Sequence, residues 1–188
     1  MSRFIPQIEK RYSPYNFSDK GIDKSVVANI LEASTQAPSS YNDQPWRYIV
    51  GFKGDEVYNK ILNTLAEPNQ KWAQTVPVLV LGIAATTSDA TGKENYYSLY
   101  DLGQATAFMI LQAAEHNVYA HQMGGFSKEA AVKSFNVSEE YTPGAVIALG
   151  YRGDENETKE RARKPLSDIV FSEALELNKS SFATESTI

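Results

Sequence analysis

Ala37-Pro-Ser-Ser-Tyr-Asn-Asp-Gln-Pro-Trp46 is the stretch on which the reading of this chain turns. Ser39, Ser40, Asn42 and Gln44 crowd into six positions, framed by Pro38 and Pro45. A loop so bounded is stiff, and it presents backbone N–H groups and amide side chains from a fixed frame. That suits a planar heterocycle with alternating donors and acceptors. It also suits a well-made turn from a helix into a strand, with Trp46 packed beneath it as core.

Outward from the loop, the chain alternates irregularly between helical and extended patterns. Upstream, Asp23 stands as an N-cap before Val26, Val27, Ile30 and Leu31, which recur at helical spacing and predict a helix over about 24–36, ended by Pro38. Downstream, Arg47–Phe52 reads as a short strand. Asp55–Leu65 places Val57, Ile61, Leu62 and Leu65 on one helical face. Pro77 opens Val78–Ala84, an almost continuous apolar run expected to be a strand buried on both faces. Asn95–Asn117 is the longest helix candidate, with Leu99, Leu102, Thr106, Met109, Ile110 and Ala113 as its stripe and no charge between Asp101 and Glu115. A helix that apolar must be covered on most sides. Val118–Met123 and Pro143–Tyr151 read as strands, Glu129–Phe135 as a short helix. Beyond Gly153 the chain is polar until Leu166–Phe171, and about 172–188 reads as a tail or arm. The pattern is α+β, with helices on a mainly antiparallel or mixed sheet; a doubly wound α/β fold stays open on alternation alone. We expect a single domain over 1–188.

Composition removes several chemistries. The sequence has no cysteine, so disulfide frameworks, thiolate nucleophiles, iron–sulfur clusters and zinc–thiolate sites are excluded. Any redox chemistry then requires a bound cofactor. The formal net charge is −5 with no basic run, which gives nucleic acid and membrane surfaces no electrostatic footing. The N-terminus lacks the apolar core of a signal peptide, and cytoplasmic residence is the default expectation. There is no glycine-rich dinucleotide or P-loop fingerprint and no nucleophile elbow. Of the two histidines, neither shows metal-ligand spacing, and His116, at a helix end, reads as structural. No metal site is expected.

Ahead of the first long helix stand Arg11, Tyr12 and Ser13. In extended chain a guanidinium and a hydroxyl two residues apart point the same way, and together they could hold a phosphate. Alone, the tripeptide reads as an exposed arginine and a turn serine.

With these stretches in order, the chain resembles the FMN-dependent nitroreductase family. That family opens with R-R-S-x-R-x-F, and Arg11-Tyr-Ser13-Pro-Tyr15-Asn-Phe17 lies in register. It continues with A-P-S-[AS]-x-N-x-Q-P-W, matched by Ala37–Trp46. Asn69, Pro77, Asp101 and Met123-Gly124-Gly125-Phe126 follow in order. Leu149-Gly-Tyr151 and Arg161-Ala-Arg163-Lys-Pro165-Leu166 close the set.

The resemblance implies a three-layer fold with a central sheet flanked by helices, dimeric with an exchanged C-terminal arm. It implies FMN as cofactor and NADH or NADPH as electron donor. Arg11, Ser13, Arg161 and Arg163 match positions that hold the FMN phosphate. Ser39, Ser40 and Asn42 match the loop on the flavin and ribityl chain, with Gln44 beside them. Asn69 matches an amide at the pyrimidine edge, and Gly124, followed by Gly125, matches the residue whose N–H faces flavin N5. Tyr12, Pro38 and Met123 complete these motifs. No catalytic acid or base is implied, since the cofactor carries hydride from the nicotinamide to a nitroaromatic, quinone or similar flat acceptor in a ping-pong scheme. A non-turnover flavin sensor or store is the alternative from another class; a relative with dehalogenating or flavin-fragmenting chemistry is the alternative among enzymes. Two positions depart from the pattern: Tyr15 stands where a second phosphate arginine is common, and Trp72 where some members place a lysine near flavin N1 and O2, Lys71 being its possible substitute.

Overall fold

The computed structural model describes residues 4–153 and 161–170. These belong to two units, residues 1–157 and 158–188. The main unit holds helices α1 (Pro6–Lys10), α2 (Lys24–Glu32), α3 (Glu56–Thr64), α4 (Glu67–Ala73), α5 (Ser98–Glu115) and α6 (Lys128–Phe135), with strands β1 (Trp46–Phe52), β2 (Val78–Ala85), β3 (Tyr119–Met123) and β4 (Tyr141–Gly150). Among the described residues of the second unit, Leu166–Asp168 forms a 3₁₀ turn. The expected arm from about residue 172 lies outside the described residues.

The strands form one sheet in the order β1-β2-β4-β3, and every pair is antiparallel. That excludes the doubly wound alternative, whose sheet is mostly parallel. Alternate residues of the central strands feed two cores. Val78, Val80, Ile147 and Leu149 meet Val27 and Ile30 of α2 and Met109, Ile110 and Ala113 of α5. Leu79, Leu81, Val146 and Ala148 meet Tyr58, Ile61 and Leu65 around α3, with Ala73 of α4 and Ala131 of α6. The architecture is three layers, helix over sheet over helix, and β2 is buried on both faces as its apolar run foretells.

Most elements lie where the sequence places them. The helix predicted over about 24–36 is α-helical only to Glu32 and tightens into a 3₁₀ turn over Ala33–Gln36; Asp23 holds the cap position without a side-chain bond. Asp55 caps α3, accepting from the Tyr58 N–H at 2.6 Å. Leu99, expected in the buried stripe of α5, is exposed instead, while Leu102, Thr106, Met109, Ile110 and Ala113 are buried. Among the described residues no helix is long and apolar enough to cross a membrane.

Candidate functional site

Arg11 ends α1, and the chain leaves it extended, so the side chains of Arg11 and Ser13 do meet: Arg11 Nη1 donates to Ser13 Oγ over 3.1 Å. The Arg152 guanidinium lies over the Tyr12 ring, 5.6 Å from its centre. The strip then joins the sheet at the C-terminal end of β4. Phe17 bridges Arg152, and Ser18 N–H donates to the Tyr151 carbonyl at 2.9 Å. The site's first piece is therefore fastened to the half-buried residues just beyond β4.

The Pro38–Gln44 loop is held by its own polar groups. Ser40–Asn42 makes a 3₁₀ turn, and Tyr41, Asn42 and Gln44 have positive φ of 51°, 58° and 46°. Such residues are uncommon and hold only where neighbours fix them. Here Ser39 Oγ accepts from the Gln44 N–H at 3.0 Å, and Gln44 Nε2 reaches back to the carbonyl and Oδ1 of Asn42, both at 3.3 Å. Gln44 braces the loop, and the Ser39 hydroxyl, having accepted, still has its hydrogen to donate. Trp46 is buried beneath the loop with Ala37, Ala84, Leu102 and Ala105.

Asp101 is the loop's anchor, and the sequence marked it only as a helix landmark. The residue is 2% exposed, and its carboxylate accepts from the Ser40 N–H at 3.0 Å and from Gln104 Nε2 at 3.2 Å. The signal that could have revealed it is a lone acid on an apolar helix, since a buried carboxylate demands donors.

The third piece is the turn after β3. Met123 is buried; Gly124 and Gly125 are exposed. A Cβ on Gly124 would meet nothing within 4 Å, whereas one on Gly125 would stand 2.8 Å from Asn69 Nδ2. Asn69 donates to the Gly125 carbonyl at 3.0 Å, and the Ala66 N–H donates to the same oxygen at 2.9 Å. Asn69 lies on α4, a helix the sequence reading did not predict, although Pro68 in its first turn is a start signal.

Trp72, three residues beyond Asn69, turns into an aromatic cluster. Its ring centre is 5.4 Å from Tyr15, 4.7 Å from His121 and 6.0 Å from Phe17. The two departures from the motif pattern thus pack against each other. Lys71, the possible substitute for the missing lysine, is ion-paired to Glu67 at 2.9 Å. His116 closes the C-terminus of α5 and bonds Asn29 Oδ1 at 2.7 Å, a structural use. Arg161 and Arg163 lie in the second unit and are exposed; Arg163 donates to the Ala162 carbonyl at 2.7 Å. Among the described residues, no cluster of acids and histidines could hold a metal ion.

Residues 8–71 match the model of the nitroreductase family. YdgI of Bacillus subtilis (strain 168), named "Putative NAD(P)H nitroreductase YdgI", is 28% identical over 171 residues, spanning 71% of this chain and 80% of that one. A solved structure described as an oxidoreductase containing FMN superposes with a TM-score of 0.83 at 28% identity, covering 94% of this chain and 96% of its own. A nitroreductase family protein from Clostridium difficile 630 gives a TM-score of 0.76 at 27% identity, covering 93% and 100%. An antiparallel sheet between helix layers, the Arg11–Ser13 pair and the Asn69–Gly125 turn in this order agree with those matches, and the chain shares the fold of these proteins and is similar to the nitroreductase family over residues 8–71.

Proposed function

We propose that this chain is a single FMN-binding domain that works, as a homodimer, as an NAD(P)H-dependent oxidoreductase. The observation that carries the reading is the pairing of Arg11 with Ser13, which sets a charged donor beside a hydroxyl as a terminal phosphate requires. A neighbour of 28% identity is itself described as containing FMN, and YdgI is named for NAD(P)H. The donor types present suit the parts of such a cofactor. Ser39, Ser40 and Asn42 stand on a braced loop, Asn69 offers an amide beside the glycine turn, and the open space at Gly124 lets backbone approach a flat ring closely.

In this reading Arg11 and Ser13 hold the phosphate, while Asn69 and the Gly124 N–H address the ring. The chemistry FMN supplies when bound is two-electron transfer through N5, from NADH or NADPH to a nitroaromatic, quinone or similar flat acceptor, in a ping-pong sequence. The protein's part is to orient and to exclude; no side chain is assigned as acid or base. The purified protein should be yellow, and heat should release FMN, identified by chromatography. Anaerobic NADH or NADPH should bleach it, an acceptor should restore the colour, and double-reciprocal plots should be parallel. FAD, or no flavin, would sink the cofactor assignment. A yellow protein that neither nicotinamide bleaches would be a binder without turnover.

A further inference from the structure

His121 belongs to none of the matched motifs, yet it sits between the two halves of the proposed flavin site. It lies on β3 opposite Ala148, half-buried, on the face that carries α3 and α4. Its Nδ1 is 2.8 Å from the Pro14 carbonyl. A carbonyl only accepts, so Nδ1 carries the hydrogen and the ring's orientation is fixed. The imidazole centre is 4.7 Å from both Tyr15, at 64° between planes, and Trp72, at 37°.

These contacts close a mechanical ring. Pro14 follows Ser13 directly, so the bond to His121 holds the carbonyl next to the Arg11–Ser13 pair. Trp72 is one helical turn from Asn69 on α4, and three residues apart on a helix is the same face. Asn69 is bonded to Gly125, which lies just past the end of β3, and β3 returns to His121. Strip, helix, turn and strand are thereby fixed relative to one another, with the imidazole as the piece common to both arcs.

Resting on the FMN reading, we propose that His121 is a positioning residue: its bond to Pro14, inside the Tyr15–Trp72 aromatic pair, sets the separation between the groups that hold the FMN phosphate and those that address its ring. It touches neither directly. Misplacing one anchor by a fraction of an ångström weakens contacts at the other end, which is how a supporting residue acts on binding.

The test compares FMN dissociation constants by fluorescence titration in wild type, His121→Phe and His121→Asn, with thermal melting of each apoprotein alongside. Phe keeps the ring packing and loses the donor; Asn restores a donor near the Nδ1 position. Phe should weaken FMN binding about tenfold, and Asn should recover to within about threefold of wild type, a rescue that packing alone cannot produce. Wild-type affinity in His121→Phe, or equal weakness in both variants, overturns the proposal. If His121→Phe does not fold, Tyr15→Leu opens the same clamp from the strip side, and wild-type affinity there overturns it. A wild-type protein that binds no FMN refutes the underlying reading instead, and the clamp with it.

Discussion

Arg11 and His121 show how far one side chain's meaning depends on its partner. Arg11 donates to a hydroxyl two residues away, so the Ser13 hydrogen points elsewhere and the two groups present donors side by side. Arg11→Ala should raise the FMN dissociation constant on the order of tenfold or more, the worth of about 1.5–3 kcal/mol for a charged hydrogen bond; unchanged affinity in a fluorescence titration would place the phosphate elsewhere. His121 titrates below the ordinary histidine value because burial disfavours its charged form, the Pro14 bond opposing in part. Tyr15 is the titratable side chain in ring contact with it, and Trp72 carries no charge. The unfolded chain therefore takes up the proton more readily. The stability this represents is fully present above the unfolded value, about 6.5, and is lost as pH falls through it toward the folded value. Urea midpoints at about pH 7.5 and about pH 5.5 should fall further apart in wild type than in His121→Asn; equal differences would show that the ring does not sense the proton.

At the scale of elements, close approach decides what a position tolerates. A Cβ on Gly51 of β1 would stand 2.4 Å from both the N and the Cα of Tyr58 in α3, and backbone cannot swing aside. Gly51→Ala should destabilise the fold by about 1–3 kcal/mol or more, read as a lower urea midpoint at unchanged slope. Tyr58 adds to the sensitivity, since its hydroxyl lies 2.9 Å and 2.8 Å from the Ala73 and Val76 carbonyls. Elements with a strong period were legible: the β2 run, the α3 face and most of the α5 stripe follow from apolar spacing. The short α4 was not, because Glu67–Ala73 has too few turns to show a period and its only buried residue is Ala73. The same holds for the site. Arg11, Ser13 and the Pro38–Gln44 loop are contiguous and could be read from sequence. The Asp101–Ser40 bond spans 61 residues and His121–Pro14 spans 107, separations no local pattern encodes.

On the whole molecule, α5 accounts for what the sheet leaves uncovered. Leu99, Tyr100 and Phe108 on it are exposed at 45%, 68% and 41%, and Tyr96 and Tyr97 just before it are exposed too. An apolar surface of this kind is a candidate interface, and a two-fold pairing would bury it from both sides. Light scattering of the holoprotein should give twice the chain mass; a one-chain mass at micromolar concentration with FMN bound would refute the proposed homodimer. The sheet order carries a last consequence, for how the chain acquires its shape. The central pair joins Val78–Ala85 to Tyr141–Leu149, so the middle of the sheet closes only after the intervening residues 86–140 have emerged. During synthesis β2, apolar on both faces, has β1 on one side and an open edge on the other until β4 arrives. Such distant pairing makes folding slow, in the range of milliseconds to seconds, and leaves a nascent chain ending before Tyr141 with a sticky edge for chaperones to shield. Refolding followed by stopped-flow fluorescence should lack a microsecond phase that recovers the full native signal.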